Sequence, residues 1–225
     1  MHSQVEVICD NHLKEKIMAR VSSVFRLKGR VGNIVFCERG GKLYMRALPS
    51  VVRNPKTAKQ EAVRSKFRVA VEFYQRVKES PIGRIWNESA KGIAVNGYAL
   101  HMKLNVKAFK EDGKIRDFSQ IHFTAGKRQC VYDLVGKMDE EGQVVLCWDG
   151  DSGEEEPEMD DRLGVIVIYG NREFMPMVVE GVEARRCDGG ASFRVDREAG
   201  VKVHLYCFFV SDKGMEYSNS QYICL

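Results

Sequence analysis

Five histidines, His2, His12, His101, His122 and His204, are scattered along the chain, and none has a partner at the His-x-x-x-His or His-Glu-x-x-His spacing that holds zinc. Seven cysteines, Cys9, Cys37, Cys130, Cys147, Cys187, Cys207 and Cys224, form no Cys-x-x-Cys pair. Gly-x-Ser-x-Gly, a Walker-type phosphate loop and Gly-x-Gly-x-x-Gly do not occur. Eight carboxylates crowd the stretch from Asp149 to Asp161, where calcium has to be considered. Asp149 and Asp151 fit the first and third positions of an EF-hand loop, but Glu154 stands where the loop needs glycine, so the stretch reads as a solvated turn. The chain is therefore expected to be no enzyme, with no catalytic residues, no bound metal and no cofactor.

A different chemistry is written in the basic residues. Contacts to phosphate or another anion need Lys and Arg lined up on a rigid element, and aromatic rings among them can stack on bases or sugars. Arg39, Lys42, Tyr44 and Arg46 stand close together, with Arg53, Lys56 and Lys59 following. These seven are the candidate binding residues, for a protein or an anionic partner.

The element that would position them is a hairpin. "RVGNIVFCERGGKLYMRALP" alternates with period two around Gly40-Gly41, and a two-residue Gly-Gly turn pairs positions whose numbers sum to 81. One face then holds Ile34, Phe36, Glu38, Leu43, Met45 and Ala47, largely apolar. The other holds Asn33, Val35, Cys37, Arg39, Lys42, Tyr44 and Arg46. A slip of one residue would exchange the two faces. Basic side chains on an exposed face also keep a hairpin soluble, so the pattern alone does not require a ligand.

At 225 residues the chain is long enough for one large domain or two small ones. The net charge of +4 hides a division: residues 1–110 hold 22 Lys and Arg against 8 Asp and Glu, residues 111–225 hold 13 against 23. Such asymmetry suggests two units with different partners, or two halves that attract each other. No apolar run reaches the roughly 20 residues that cross a bilayer, and the opening segment lacks the apolar core of a secretory signal. A cytoplasmic address is expected, with the cysteines acting as small buried hydrophobes in a reducing compartment.

Residues 1–17 show no clear pattern and read as an extension, disordered or upstream of a start at Met18. After the hairpin, Thr57 and Gln60 fit a capping box for a helix of about six turns, with Val63, Phe67, Ala70, Val71, Tyr74 and Val77 on its apolar face. Ser80-Pro81 opens a second helix through about Ala90, and "YALHMKLNVKAF" reads as a third. Beyond "KEDGKIRD" come seven short apolar runs, "QIHFTA", "QVVLCWD", "LGVIVIY", "MPMVVEGVEAR", "ASFRV", "KVHLYCFFVS" and "YSNSQYICL", divided by Gly, Asp and Asn. That spacing indicates an antiparallel β-sandwich, with Trp148 and Tyr206 as core aromatics. The expected fold class is α+β: a basic domain over 18–112, a hairpin or meander packed on two or three helices, followed by an acidic all-β sandwich over 118–225.

The stretch from Gly29 to Phe67 resembles a family of uncharacterised Bacteroidetes proteins, a domain of unknown function. The carrying positions are Gly29, Val31, Gly32 and Val35; Gly41, Lys42, Tyr44 and Arg46; then Pro49, Val52, Asn54, Pro55, Thr57, Gln60, Arg64 and Phe67. The closing segment "VHLYCFFVSDKGMEYSNSQYICL" is similar to the family's last strands. The resemblance covers most of residues 18–225 and implies a fibronectin-III or immunoglobulin-like sandwich and a bacterial source, including a prophage or mobile element. It implies no activity, cofactor or catalytic residue. The expectation is thus a non-enzymatic structural or adaptor protein, in the cytoplasm or a phage-like particle, with a protein partner and no membrane. The alternative is a nucleic-acid-binding protein that uses the same basic ribbon and helix.

Overall fold

In the computed structural model the residues described are 18–20, 28–39, 41–49, 51, 54–149 and 159–225, with the backbone alone for 18–20 and 39. The expected extension over 1–17, Arg53 and most of the acidic turn lie outside the described residues. The chain divides into two compact units, Met1–Lys56 and Thr57–Leu225.

The first unit carries an antiparallel sheet of four strands: β1 (Met18–Arg20), β2 (Gly29–Val31), β3 (Ile34–Arg39) and β4 (Lys42–Ala47), in the order β1-β4-β3-β2. Strands β2, β3 and β4 form a meander and β1 lies beside β4, which is Greek-key order in reverse chain sense. The β3–β4 register pairs Ile34 with Ala47, Phe36 with Met45, Cys37 with Tyr44 and Arg39 with Lys42, as the Gly-Gly turn requires. A second tight turn at Gly32-Asn33, with Gly32 at φ 57°, joins β2 to β3 and pairs Val31 with Ile34. The expected two-stranded ribbon is therefore flanked on both sides, which removes its free edges.

The second unit begins with three helices, each started by a side chain that accepts a backbone N–H. Thr57 accepts from Gln60 N at 3.3 Å to open α1 (Ala58–Val77), Ser80 from Ile82 N at 3.3 Å to open α2 (Pro81–Ser89), and Asn96 from Ala99 N at 2.8 Å to open α3 (Gly97–Asn105). The buried stripe of α1 is Val69, Ala70, Phe73 and Val77, while Val63 and Phe67 are 54% and 47% exposed. The apolar face expected from spacing is thus corrected. No residue from Ala58 to Arg68 is buried, so the first three turns make no core contact that could select a face.

Seven strands follow: β5 (Tyr132–Met138), β6 (Gln143–Asp149), β7 (Arg162–Tyr169), β8 (Met177–Val178), β9 (Gly190–Arg194), β10 (Val203–Val210) and β11 (Gln221–Cys224). They make two antiparallel sheets, β11-β10-β7-β8 and β5-β6-β9. One face of the larger sheet, Ile166, Ile168, Tyr206 and Phe208, shares a core with Phe73, Trp86 and Phe109 from the helical layer. The opposite face, Val165, Val167, Leu205, Cys207 and Phe209, packs on Leu146, Trp148 and Phe193 of the smaller sheet. Both faces of β10 are covered, which explains why "VHLYCFF" shows no alternation. The boundary expected between 112 and 118 falls inside this three-layer unit.

Two sequence expectations fail here for physical reasons. "QIHFTA" is not a strand, because side chains replace its ladder partners: His122 N donates to Asn105 Oδ1 at 2.7 Å, Asn105 Nδ2 donates to His122 O at 2.8 Å, and Phe123 N donates to Ser220 Oγ at 3.2 Å. Strand β5 escapes the apolar pattern because its register shifts between Tyr132 and Val135, and Asp133 holds φ at 49°. The cysteines also differ from expectation. Cys207 is buried, with its thiol pushed up to about 12 by burial, but Cys147, Cys187 and Cys224 are exposed. Cys147 occupies an outward position of β6 between inward Leu146 and Trp148.

Candidate functional site

Strand register gathers several basic residues of the first unit onto one face. Arg30 pairs with Val35, and Val35 with Arg46, so two arginines from β2 and β4 share a cross-strand row. The next row along holds Cys37 and Tyr44, with Arg20 of β1 in register with Tyr44. The third joins Arg39 and Lys42. Arg30, Lys42 and Arg46 are exposed, and Tyr44 is half-buried between neighbouring strands. Arg30 donates from Nε to the Gly32 carbonyl at 2.9 Å, which holds the guanidinium beside the β2–β3 turn.

The reverse face carries Ile34, Phe36, Leu43, Met45 and Ala47. Glu38, the one described acid of residues 28–56, stands on that side and meets Lys28 at 3.7 Å. The face around Tyr44 is therefore cationic among the described residues.

Of the seven residues expected to form the surface, Lys42, Tyr44 and Arg46 share this face. Arg39 has its backbone in the same row set, and Arg53 lies outside the described residues. Lys56 ends the first unit with φ at 45°, and Lys59 belongs to α1 of the second unit. Arg30 was missed. The Gly32-Asn33 dipeptide, a two-residue hairpin turn, was the signal that would have placed Arg30 opposite Val35.

The second unit has a cleft of about 870 Å³, whose walls include Ser89, Lys91, Arg128, Asp161, Ser211 and Glu216. Its carboxylates are engaged within the chain. Arg128 reaches Glu216 at 2.6 Å and Asp161 at 3.4 Å. The fully buried Arg186 lies 3.5 Å from Asp161, donates to Gln129 O at 2.7 Å, and stacks 4.5 Å over the Phe209 ring. Burial pushes the Asp161 carboxyl up, against the pull of the two guanidinium groups. This cluster ties residues 128, 161, 186 and 216 together.

Two histidines are likewise committed to structure. Burial pushes His101 down to about 4, and its ring touches Ala70 O at 2.9 Å and Asn105 Nδ2 at 3.1 Å. Burial also lowers His204 to about 4, with the Lys202 charge adding to it; its Nδ1 lies 2.8 Å from the Tyr222 hydroxyl, and its ring stacks 3.8 Å from Phe118. Among the described residues no three His, Cys, Asp or Glu side chains converge on a point that could hold a metal. No described helix is long and apolar enough to cross a membrane.

Fold and surface define an α+β protein in which a small sheet with one cationic face precedes a larger unit of helices and two antiparallel sheets. The chain belongs to the DUF6266 family, a family of unknown function, whose model matches residues 26–224. No curated protein matches it. No solved structure matches it either.

Proposed function

We propose that this chain is a non-enzymatic interaction protein whose first unit takes an anionic partner on the face around Tyr44. The observation that carries the reading is the row set: Arg30, Lys42 and Arg46 surround Tyr44, and the described acid of that unit stands on the opposite face. Charge separated in this way is not needed to pair the strands of a sheet.

The larger unit is read as an adaptor domain of immunoglobulin or fibronectin-III type. Its support is the strand order, β5-β6-β9 opposite β11-β10-β7-β8, in which consecutive strands divide between the sheets. The outer face of the smaller sheet offers a second contact surface. Tyr132 and Val135 are 57% and 59% exposed there, beside exposed Val145 and Cys147.

Retention of the full chain on immobilised heparin, a sulfated polyanion, tests the first surface. Lys42→Glu with Arg46→Glu is expected to lower the eluting salt well beyond Lys103→Glu with Lys107→Glu, an equal charge change at exposed sites of the second unit. Equal losses from the two pairs would mean that only net charge matters and would remove the reading.

A further inference from the structure

The cationic face belongs to a four-stranded sheet rather than a two-stranded arm, and that breadth selects among anions. Four strands about 4.8 Å apart put their outer axes about 14 Å from each other, wider than the roughly 12 Å major groove that a two-stranded ribbon enters. A duplex also keeps its bases stacked inward, out of reach of a ring set at the centre of a sheet. A single strand has neither restriction, since its bases can splay out and stack on an aromatic side chain.

Along β4, Lys42, Tyr44 and Arg46 occupy alternate positions on the same side. Each cation is therefore about 7 Å from the tyrosine along the strand, one to either side. A base lying on Tyr44 sends its two flanking phosphates in opposite directions, and this spacing places a cation near each. Arg30, two strands away in the Arg46 row, widens the positive track across the sheet.

We propose that this face binds single-stranded nucleic acid, with Tyr44 as the base-stacking platform and Arg30, Lys42 and Arg46 as phosphate contacts. The proposal rests on the anion-binding reading above and narrows it. An acidic protein would meet the same cations but would gain nothing particular from the ring.

The test uses the full chain, a fluorescent oligothymidylate of about 15 nucleotides, a duplex of the same length, and heparin as a polyanion without bases. The single strand is expected to bind at least about tenfold tighter than the duplex. Tyr44→Ala is expected to weaken single-strand binding by about 5–100-fold with heparin retention unchanged, and Tyr44→Phe to preserve it. Should Tyr44→Ala fold poorly, ultraviolet crosslinking of a halogenated single strand to the unaltered chain gives the same answer, with the adduct expected on Tyr44. Equal affinity for duplex, an unaffected Tyr44→Ala, or a crosslink confined to residues 57–225 would overturn the proposal. Heparin retention without oligonucleotide binding would overturn it too, while sparing the anion-binding reading. Binding to neither probe would remove both.

Discussion

Arg30 and Arg46 stand in one cross-strand row with Val35 between them, although sixteen positions separate them in the chain. The β2–β3 and β3–β4 pairings bring them to the same side about 10 Å apart. The row turns a hairpin with a few basic residues into a surface with breadth, and it has consequences that can be measured.

Arg30→Glu is expected to lower polyanion affinity about as much as Arg46→Glu, although Arg30 lies outside the β3–β4 hairpin. Each variant should also flatten the dependence of log K on log salt by about 0.7 for a single strand, one phosphate contact. Titrations with oligothymidylate at several salt concentrations check this, and an Arg30→Glu chain that binds like the parent would contradict the four-stranded register.

Stability should fall in mild acid. His101 is fully buried among Phe73, Trp86 and Phe109, and its folded pKa of about 4 lies below the ordinary 6.5. The unfolded chain takes up the proton first, so the contribution is complete above about pH 6.5 and is lost as pH falls to about 4. His101 alone supplies about 3 kcal/mol of that slope, and His204 adds in the same direction. Urea unfolding at pH 7 and pH 4.5 measures it; His101→Gln is expected to start less stable but to lose less.

Asn105 is expected to tolerate no apolar replacement. Its amide satisfies both backbone groups of His122 and touches Nδ1 of His101, which joins α3 to the segment above it. Asn105→Leu leaves those buried groups without partners and should cost about 2–4 kcal/mol in denaturant unfolding. A loss under about 0.5 kcal/mol would show that water replaces the amide.

The helices and the larger sheet should unfold together. Phe73 packs within 6.4 Å of Trp86 and Phe123, and Phe123 lies 5.0 Å from Tyr206 on β10, so one core runs through both layers. Phe73→Ala is expected to cost about 3–5 kcal/mol and to shift the transitions reported by Trp86, in the helical layer, and Trp148, in the sandwich, by equal amounts. Two separated transitions would mean independent domains with a boundary near 112–118.

Gly126 has no room for a side chain, since an added Cβ would lie 1.9 Å from the Tyr217 carbonyl oxygen. Gly126→Ala must therefore move the backbone at one of the two chain segments. A loss of more than about 2 kcal/mol is expected in thermal or denaturant unfolding.

Elements with local signals were legible in the sequence. Thr57 and Ser80 mark their helices because a cap acts within three residues, and the Gly40-Gly41 dipeptide signals the β3–β4 register for the same reason. What depends on distant partners was not. The extended look of "QIHFTA" is overruled by Asn105 and Ser220, which are far away in the chain. The continuous apolar run of β10 fits one sandwich core as well as two different cores, and only the helices packed on its second face decide. The candidate surface was half legible: Lys42, Tyr44 and Arg46 follow from one turn, whereas Arg30 joins through a strand whose pairing that hairpin alone does not reveal.

Amide shift mapping during titration with oligothymidylate asks which face of the first unit meets the strand. The largest perturbations are expected at Arg30, Val35, Cys37, Lys42, Tyr44 and Arg46, with the neighbouring positions Phe36 and Met45 on the reverse face changing less. Perturbations confined to residues 57–225, or strongest at Phe36 and Met45, would contradict binding at the Tyr44 face.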